Sequence, residues 1–264
     1  LANVQSKTIF GGMENASAIF YFENSVDSKG IEELMAHEIA HQWFGDAASE
    51  KNFNNLWLSE GFATYMTNYY LESKYGVDTL KKRLTKDRIK VLRFERTRFT
   101  PVVDSPATNL MDLLNANSYE KGSWVLHMLR RKLGDDVFWK AIRAYYAKYK
   151  GSNANTTDLR HVMEQTSGQN LEVFFKQWLN TAGHPDLGIV WKYDDNTHKL
   201  NIQIAQKQKN LYVVPLEIAV DGHLYTINVK GATTTEDIAI AQKPTKIQPD
   251  PNVNLLASFT VIGE

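Results

Sequence analysis

His37 and His41 lie four residues apart in the run His37-Glu38-Ile39-Ala40-His41, and Glu60 follows nineteen positions after the second His. On an α-helix that spacing projects both imidazoles from one face, about 40° out of register. Two imidazoles so placed can hold one zinc ion. Glu38, about 100° round the same helix, can reach a water on the metal without being a ligand. Catalytic zinc takes three protein ligands and keeps a fourth position open. Glu60 is placed to supply the third ligand from a second helix.

Two helices must therefore carry these groups. Ile31 to Phe44 has no Pro and no internal Gly, and Gly45 offers a stop. Leu34, Met35, Ile39, Trp43 and Phe44 supply its apolar faces. Leu56 to Tyr70 also reads as helix, with Ser59, Glu60 and Gly61 near its start. Gly61 costs about 1 kcal/mol against Ala in a helix. Close approach of the two helices beside the metal would be a use for it.

The stretches His37-Glu38-Ile39-Ala40-His41-Gln42-Trp43-Phe44-Gly45 and Leu56-Trp57-Leu58-Ser59-Glu60-Gly61-Phe62-Ala63 resemble the zinc aminopeptidases of the aminopeptidase N type. These are gluzincins, in which two His and a distant Glu bind the zinc. Gly11-Gly12-Met13-Glu14-Asn15 resembles the family's exopeptidase signature, and Tyr119-Glu120-Lys121-Gly122-Ser123 its Tyr-x-Lys-Gly motif. All three signatures occur in the family's order. The resemblance implies one zinc per chain, held by His37, His41 and Glu60, with Glu38 as general base. It makes Glu14 the anchor for the substrate's free α-amine, within a substrate-binding signature that includes Gly12, Met13 and Asn15. It makes Tyr119 the oxyanion donor.

These roles agree with the chemistry of the side chains. A carboxylate at Glu38 can take a proton from water and pass it to a leaving amine. A neutral Tyr hydroxyl is a suitable fixed donor to a developing oxyanion. A carboxylate at Glu14 attracts an ammonium group, which a peptide offers only at a free N-terminus. Taken alone, Tyr119 would be one packed aromatic among twelve Tyr, and Glu14 a solvated strand-edge charge. The motifs around them carry the assignment.

The implied reaction is zinc-dependent release of N-terminal residues from peptides. The implied fold is α+β: a thermolysin-like, mainly helical catalytic domain over 1–185, then a small antiparallel β-sandwich over 186–264. In the family a whole N-terminal β domain precedes the exopeptidase signature and contributes another acidic group to amine recognition. The chain opens at Leu1 without Met. It therefore reads as part of a longer polypeptide, with that domain missing, as is the C-terminal helical domain of many relatives. Asp46 stands where the family often has Asn after Trp-Phe-Gly. The Gly12 form of the signature also occurs in the leukotriene-hydrolase-like branch, which makes epoxide hydrolysis a remote second activity. A zinc endopeptidase is one rival reading, and Glu14 argues against it. A non-catalytic peptide-binding fragment is the other, and the retained base, ligands and oxyanion donor argue against that.

The remaining residues set outer limits. His127 and His161 fall on amphipathic helices, and His184, His198 and His223 in loops or turns. None has a His or Cys at ligand spacing. The basic stretch Lys81 to Arg98 also holds Asp87 and Glu95, and the whole chain has zero formal net charge. It reads as the wet face of a helix and not as a nucleic-acid site. There is no Cys, hence no disulfide or thiolate metal site. No run of eighteen apolar residues suggests a membrane span.

Element patterns complete the reading. Lys7 to Phe22 reads as strand, motif turn and strand. Helical patterns follow near 79–94, 119–133, 135–149, 157–166 and 170–181, with Gly134, Gly151, Gly168 and Gly183 as stops. Between them Thr97 to Ala116, with Pro101 and Pro106, reads as a loop leading into Tyr119. Past Gly183 the period falls to about two, and about seven short strands suggest a sandwich. Within it Asp221-Gly222 signals a two-residue hairpin.

Overall fold

A computed structural model of the chain describes residues 1–8, 10–104 and 109–263. Pro106 lies outside the described residues. The chain divides into two compact units, Leu1–Ala182 and Gly183–Glu264.

The first unit opens with β1 (Ala2–Ser6), β2 (Gly12–Met13) and β3 (Ala18–Phe22). β3 is central, parallel to β1 and antiparallel to β2. Its alternation buries Ile19 and Tyr21 on one face. The first strand lies before Lys7, where the sequence pattern predicts it later. Ala2–Ser6 pairs residue for residue with β3, and that full-length ladder decides the matter. The elements that follow are α1 (Ile31–His41), β4 (Ala48–Glu50), α2 (Trp57–Tyr75), α3 (Val77–Thr97), α4 (Gly122–Leu133), α5 (Asp135–Tyr149), β5 (Ser152–Ala154), α6 (Thr156–Ser167) and α7 (Glu172–Leu179). β4 and β5 form a two-stranded parallel pair. A capping box between Asn155 and Asp158 starts α6.

α2 is the hub. It packs against α1, α3 and α4, and its first turns are buried on all sides. Trp57, Phe62 and Tyr65 from α2 join Trp124, Phe138 and Tyr145 in the core. Gly61 permits a close approach, but its partner is not α1. A Cβ on Gly61 would sit 2.9 Å from the Gly122 Cα and 3.1 Å from the Ser118 carbonyl oxygen. The contact is thus between α2 and the start of α4, and it sets how near that segment lies to Glu60.

Three boundaries near the site differ from the sequence pattern. α1 stops at His41, three residues short of Phe44, because the chain tightens into i→i−3 bonds at Gln42 and Trp43. Gly45 then takes φ +130°, and a Cβ there would lie 2.6 Å from Ser59 Oγ and 3.0 Å from His41 Nδ1. α2 runs on to Tyr75 and ends at Gly76, with φ +88°. Tyr119 is not delivered by a loop. It lies in a π-helical turn, Asn117–Lys121, closed by the Lys121 N–H to the Ala116 carbonyl at 2.8 Å.

The second unit holds β6 (Asp186–Asp194), β7 (Lys199–Gln206), β8 (Val214–Val220), β9 (His223–Val229), β10 (Thr233–Ala239), β11 (Ile247–Pro249) and β12 (Ser258–Gly263). One sheet runs β10-β7-β6-β12 and the other β11-β8-β9. Pairing is antiparallel except between β12 and β6. Alternate residues, among them Leu200, Ile202, Ile204, Leu216 and Ile218, are fully buried. Asp221 and Gly222 both have positive φ, as a twist-matched two-residue hairpin requires. The architecture is mixed α+β, with the helices in the first unit and the sandwich strands in the second.

Candidate metal and catalytic centre

α1 presents His37 and His41 toward Glu60 in the first turn of α2. His37 Nε2 is 3.1 Å from His41 Nε2, and each is 3.2 Å from Glu60 Oε2. Donor atoms about 2.0–2.1 Å from a tetrahedral ion stand about 3.3 Å apart, so these three converge on a point a small cation fits. Two imidazole nitrogens and a carboxylate oxygen are also a donor set suited to zinc. Among the described residues this is the one group of three or more His, Asp or Glu able to hold a metal.

Supporting contacts set the geometry of this group. The Phe44 carbonyl lies 3.1 Å from His41 Nδ1. It can accept a hydrogen bond from Nδ1–H, which keeps the proton on Nδ1 and leaves the Nε2 lone pair for a metal. Ser59 Oγ, 3.3 Å from the same Nδ1, is a second partner that spacing arguments did not find. Its position immediately before Glu60 was the available signal. Burial opposes a charged His41, but hydrogen bonding to Glu60 and nearby carboxylates hold it up at about 9. Burial likewise opposes a charged Glu60, and the hydrogen bonds from both His residues bring it down to about 2.

Glu38 is buried between the two His positions. Burial pushes its carboxyl up to about 7, with the charges of Glu14 and Glu60 adding to this and His41 opposing. The carboxylate lies directly against β2, where a Cβ on Gly12 would collide with Glu38 Oε1. Gly12 is therefore a space requirement of the carboxylate beside it. Tyr119 reaches the cluster from the π turn and donates its hydroxyl to Glu60 Oε1 at 2.7 Å. Its ring stacks on His37, with centroids 6.0 Å apart and planes 14° from parallel. Burial and the Glu60 charge hold its pKa far above the ordinary value, so the phenol stays protonated.

The exopeptidase-like signature edges the same centre. Glu14 is half-buried, more open than an amine anchor in a closed pocket would be. Its charge nonetheless acts on Glu38, His41 and Tyr119. Met13 is half-buried in β2 opposite Phe20, and Asn15 is exposed with its carbonyl accepting the Ala18 N–H. Lys121, next but one to Tyr119, is fully buried and pairs with Glu95 of α3 at 2.7 Å. That pair ties the π turn to α3.

The other histidines and the basic stretch, to which the sequence assigns no role, lie outside this group. His127 is buried on α4 against Trp124 and Tyr65, and His198 Nδ1 lies 3.0 Å from the Tyr193 hydroxyl. In the basic stretch Arg83 pairs with Glu33 of α1 and Lys90 with Glu120. Among the described residues no helix is long and apolar enough to cross a membrane.

Residues 3–178 match the family model described as the peptidase family M1 domain. "Probable aminopeptidase 2" of Sulfurisphaera tokodaii is 30% identical over 260 residues, covering 91% of this chain and 33% of that protein. Alanine/arginine aminopeptidase of Saccharomyces cerevisiae is 30% identical over 211 residues, covering 74% and 24%. The crystal structure of Legionella pneumophila aminopeptidase A in complex with aspartic acid superposes with a TM-score of 0.82 at 17% identity, covering 98% of this chain and 31% of that one. The chain thus spans about a third or less of the lengths of these relatives. With its motif-bearing unit matched almost throughout, this chain belongs to the M1 peptidase family.

Proposed function

We propose that the polypeptide carrying this chain is a zinc aminopeptidase that releases N-terminal residues from peptides. His37, His41 and Glu60 would hold the zinc, one ion per chain. Residues 1–185 form the catalytic domain on this reading, 186–264 a supporting sandwich, and an N-terminal β domain completes the amine site. Zinc held there would supply Lewis acidity toward the scissile carbonyl and an activated water. Glu38 would act as the general base toward the attacking water and as the proton donor to the leaving amine. Tyr119 donates its hydroxyl to the developing oxyanion. Glu14 holds the substrate ammonium. The names of the relatives, all aminopeptidases, support this reading.

The observation that carries it is the group formed by His37, His41 and Glu60, with the Tyr119 hydroxyl on Glu60 and Gly12 of the Glu14-bearing segment packed against Glu38. A free N-terminus bound by Glu14 brings the first peptide bond to that group. In the full-length protein a free peptide should be cut one residue at a time, and its N-acetylated form should be nearly inert. Glu14→Ala should lower kcat/KM on the free peptide by about ten- to a hundredfold, the worth of about 1.5–3 kcal/mol for a hydrogen bond to a charged group. Mass spectrometry of the products decides. Internal cleavage of the acetylated peptide at a comparable rate would promote the endopeptidase reading.

Elemental analysis should find about one zinc per chain, and His41→Ala and Glu60→Ala should each bind it much more weakly. Unchanged zinc content in both variants would refute the ligand assignment.

A further inference from the structure

Gln42 directly follows the second His of the group and belongs to none of the roles above. Its side-chain amide has one carbonyl and two N–H donors. The carbonyl accepts the backbone N–H of Ser17 at 2.8 Å. One N–H donates to the Glu14 backbone carbonyl at 2.9 Å, and the other to Asp46 Oδ2 at 2.7 Å. Both donors and the acceptor are thus engaged, two of them by the Glu14–Ser17 segment and one by Asp46.

The segment Gln42 grips is a tight turn. The Ala18 N–H bonds to the Asn15 carbonyl at 2.9 Å, and Ser17 sits at φ +66°, a left-handed conformation unusual for a residue with a side chain. Asn15, Ala16 and Ser17 are all exposed, so little packing restrains them. The amide bridges the turn at both ends, through Glu14 and Ser17. Asp46 sets which way the amide faces. An ionised carboxylate only accepts, so it draws the NH₂ and leaves the carbonyl for Ser17. A flipped amide would set two donors against each other at Ser17 and two acceptors at Glu14. The other end of the bridge is rigid, because Gln42 caps α1 next to His41, itself buried.

We propose that Gln42 is a positioning residue for amine recognition: its amide clips the Glu14–Ser17 turn to the end of α1, fixing the Glu14 carboxylate relative to the metal-ligand group. Asp46 orients the clip. The inference rests on the reading of Glu14 as the partner of the substrate amine. It adds a reason why an exposed turn holds that carboxylate in one place. Displacing a positioned group by about 1 Å costs up to about a hundredfold.

The test uses the full-length zinc-loaded protein and two probes, an amino acid hydroxamate and its des-amino counterpart. Their dissociation constants are measured by calorimetry, and the ratio reports the amine site alone. Gln42→Leu should weaken the amino hydroxamate roughly ten- to a hundredfold and leave the des-amino compound and the zinc content unchanged. Gln42→Glu keeps the acceptor for Ser17 but sets a carboxylate against the Glu14 carbonyl and Asp46. It should narrow the ratio in the same direction. In a Glu14→Ala background Gln42→Leu should have little further effect. If Glu14→Ala narrows the ratio and both Gln42 variants leave it intact, the positioning role is overturned while the reading of Glu14 stands. Equal weakening of both probes by both Gln42 variants makes Gln42 merely structural and also overturns it. If Glu14→Ala itself leaves the ratio intact, the reading of Glu14 fails first, and this inference with it.

Discussion

Glu38→Gln should keep the zinc and lose about two to four orders of magnitude in turnover, the usual worth of a positioned acid–base group. The substitution is nearly isosteric. That matters here, because the Glu38 carboxylate lies directly against the β2 backbone at Gly12 and leaves no space for a larger group. Gln fits that slot, keeps the helix, and leaves His37 and His41 where they are. What it removes is the capacity to take up a proton. Burial already favours that uptake, pushing the carboxyl up to about 7. A neighbouring dication would lower the value again, since its charge favours the carboxylate that burial disfavours. Zinc analysis and steady-state rates on an aminoacyl fluorogenic substrate together separate the cases. Near-normal turnover would remove Glu38 from the mechanism. Loss of zinc along with activity would make it a structural residue of the metal group.

Much of this centre was legible because helices translate spacing into direction. The four-residue interval of His37 and His41 needs only one unbroken helix to bring both rings together, and Ile31–His41 supplies it. The second helix was also plain, so Glu60 followed. The Asp221-Gly222 hairpin was equally local, since two positive φ values are a property of the dipeptide. What spacing could not supply was contact between distant segments. Gly61 was legible as a point of close approach, but its partner Gly122 lies sixty-one positions on and only packing could name it. Tyr119 was recognised through its motif, yet its π turn was not foreseen. One residue more than an α-turn leaves no periodic trace in so short a segment. The end of α1 at His41 was missed because Trp43 and Phe44 continue an apolar pattern while the backbone already turns toward Gly45. The grip of Gln42 on the Glu14 turn joins residues twenty-eight apart and has no sequence signature of its own.

Tyr119→Phe should lower kcat by about 10²–10³, the cost of one oxyanion donor, with a much smaller change in KM. On the proposed reading the hydroxyl meets charge that develops only in the transition state, so ground-state binding has little to lose. The substitution changes almost no volume, and the ring can keep its stack on His37. The structure also sets a competing role for the same atom. The Tyr119 hydroxyl donates to Glu60 Oε1, the carboxylate oxygen other than the one facing the two His residues, at 2.7 Å. A hydroxyl that served only to orient Glu60 would act through metal affinity. Its loss would then release zinc, and adding zinc would restore the rate. The two roles are separated by measuring kcat at saturating zinc. A deficit of two or three orders that persists there, with about one zinc still bound per chain, assigns the hydroxyl to the oxyanion. Full recovery on adding zinc would assign it to Glu60 instead. In either case the π turn is what brings it to the cluster, since Lys121, buried on Glu95, holds that turn to α3 and leaves the Tyr119 hydroxyl on Glu60.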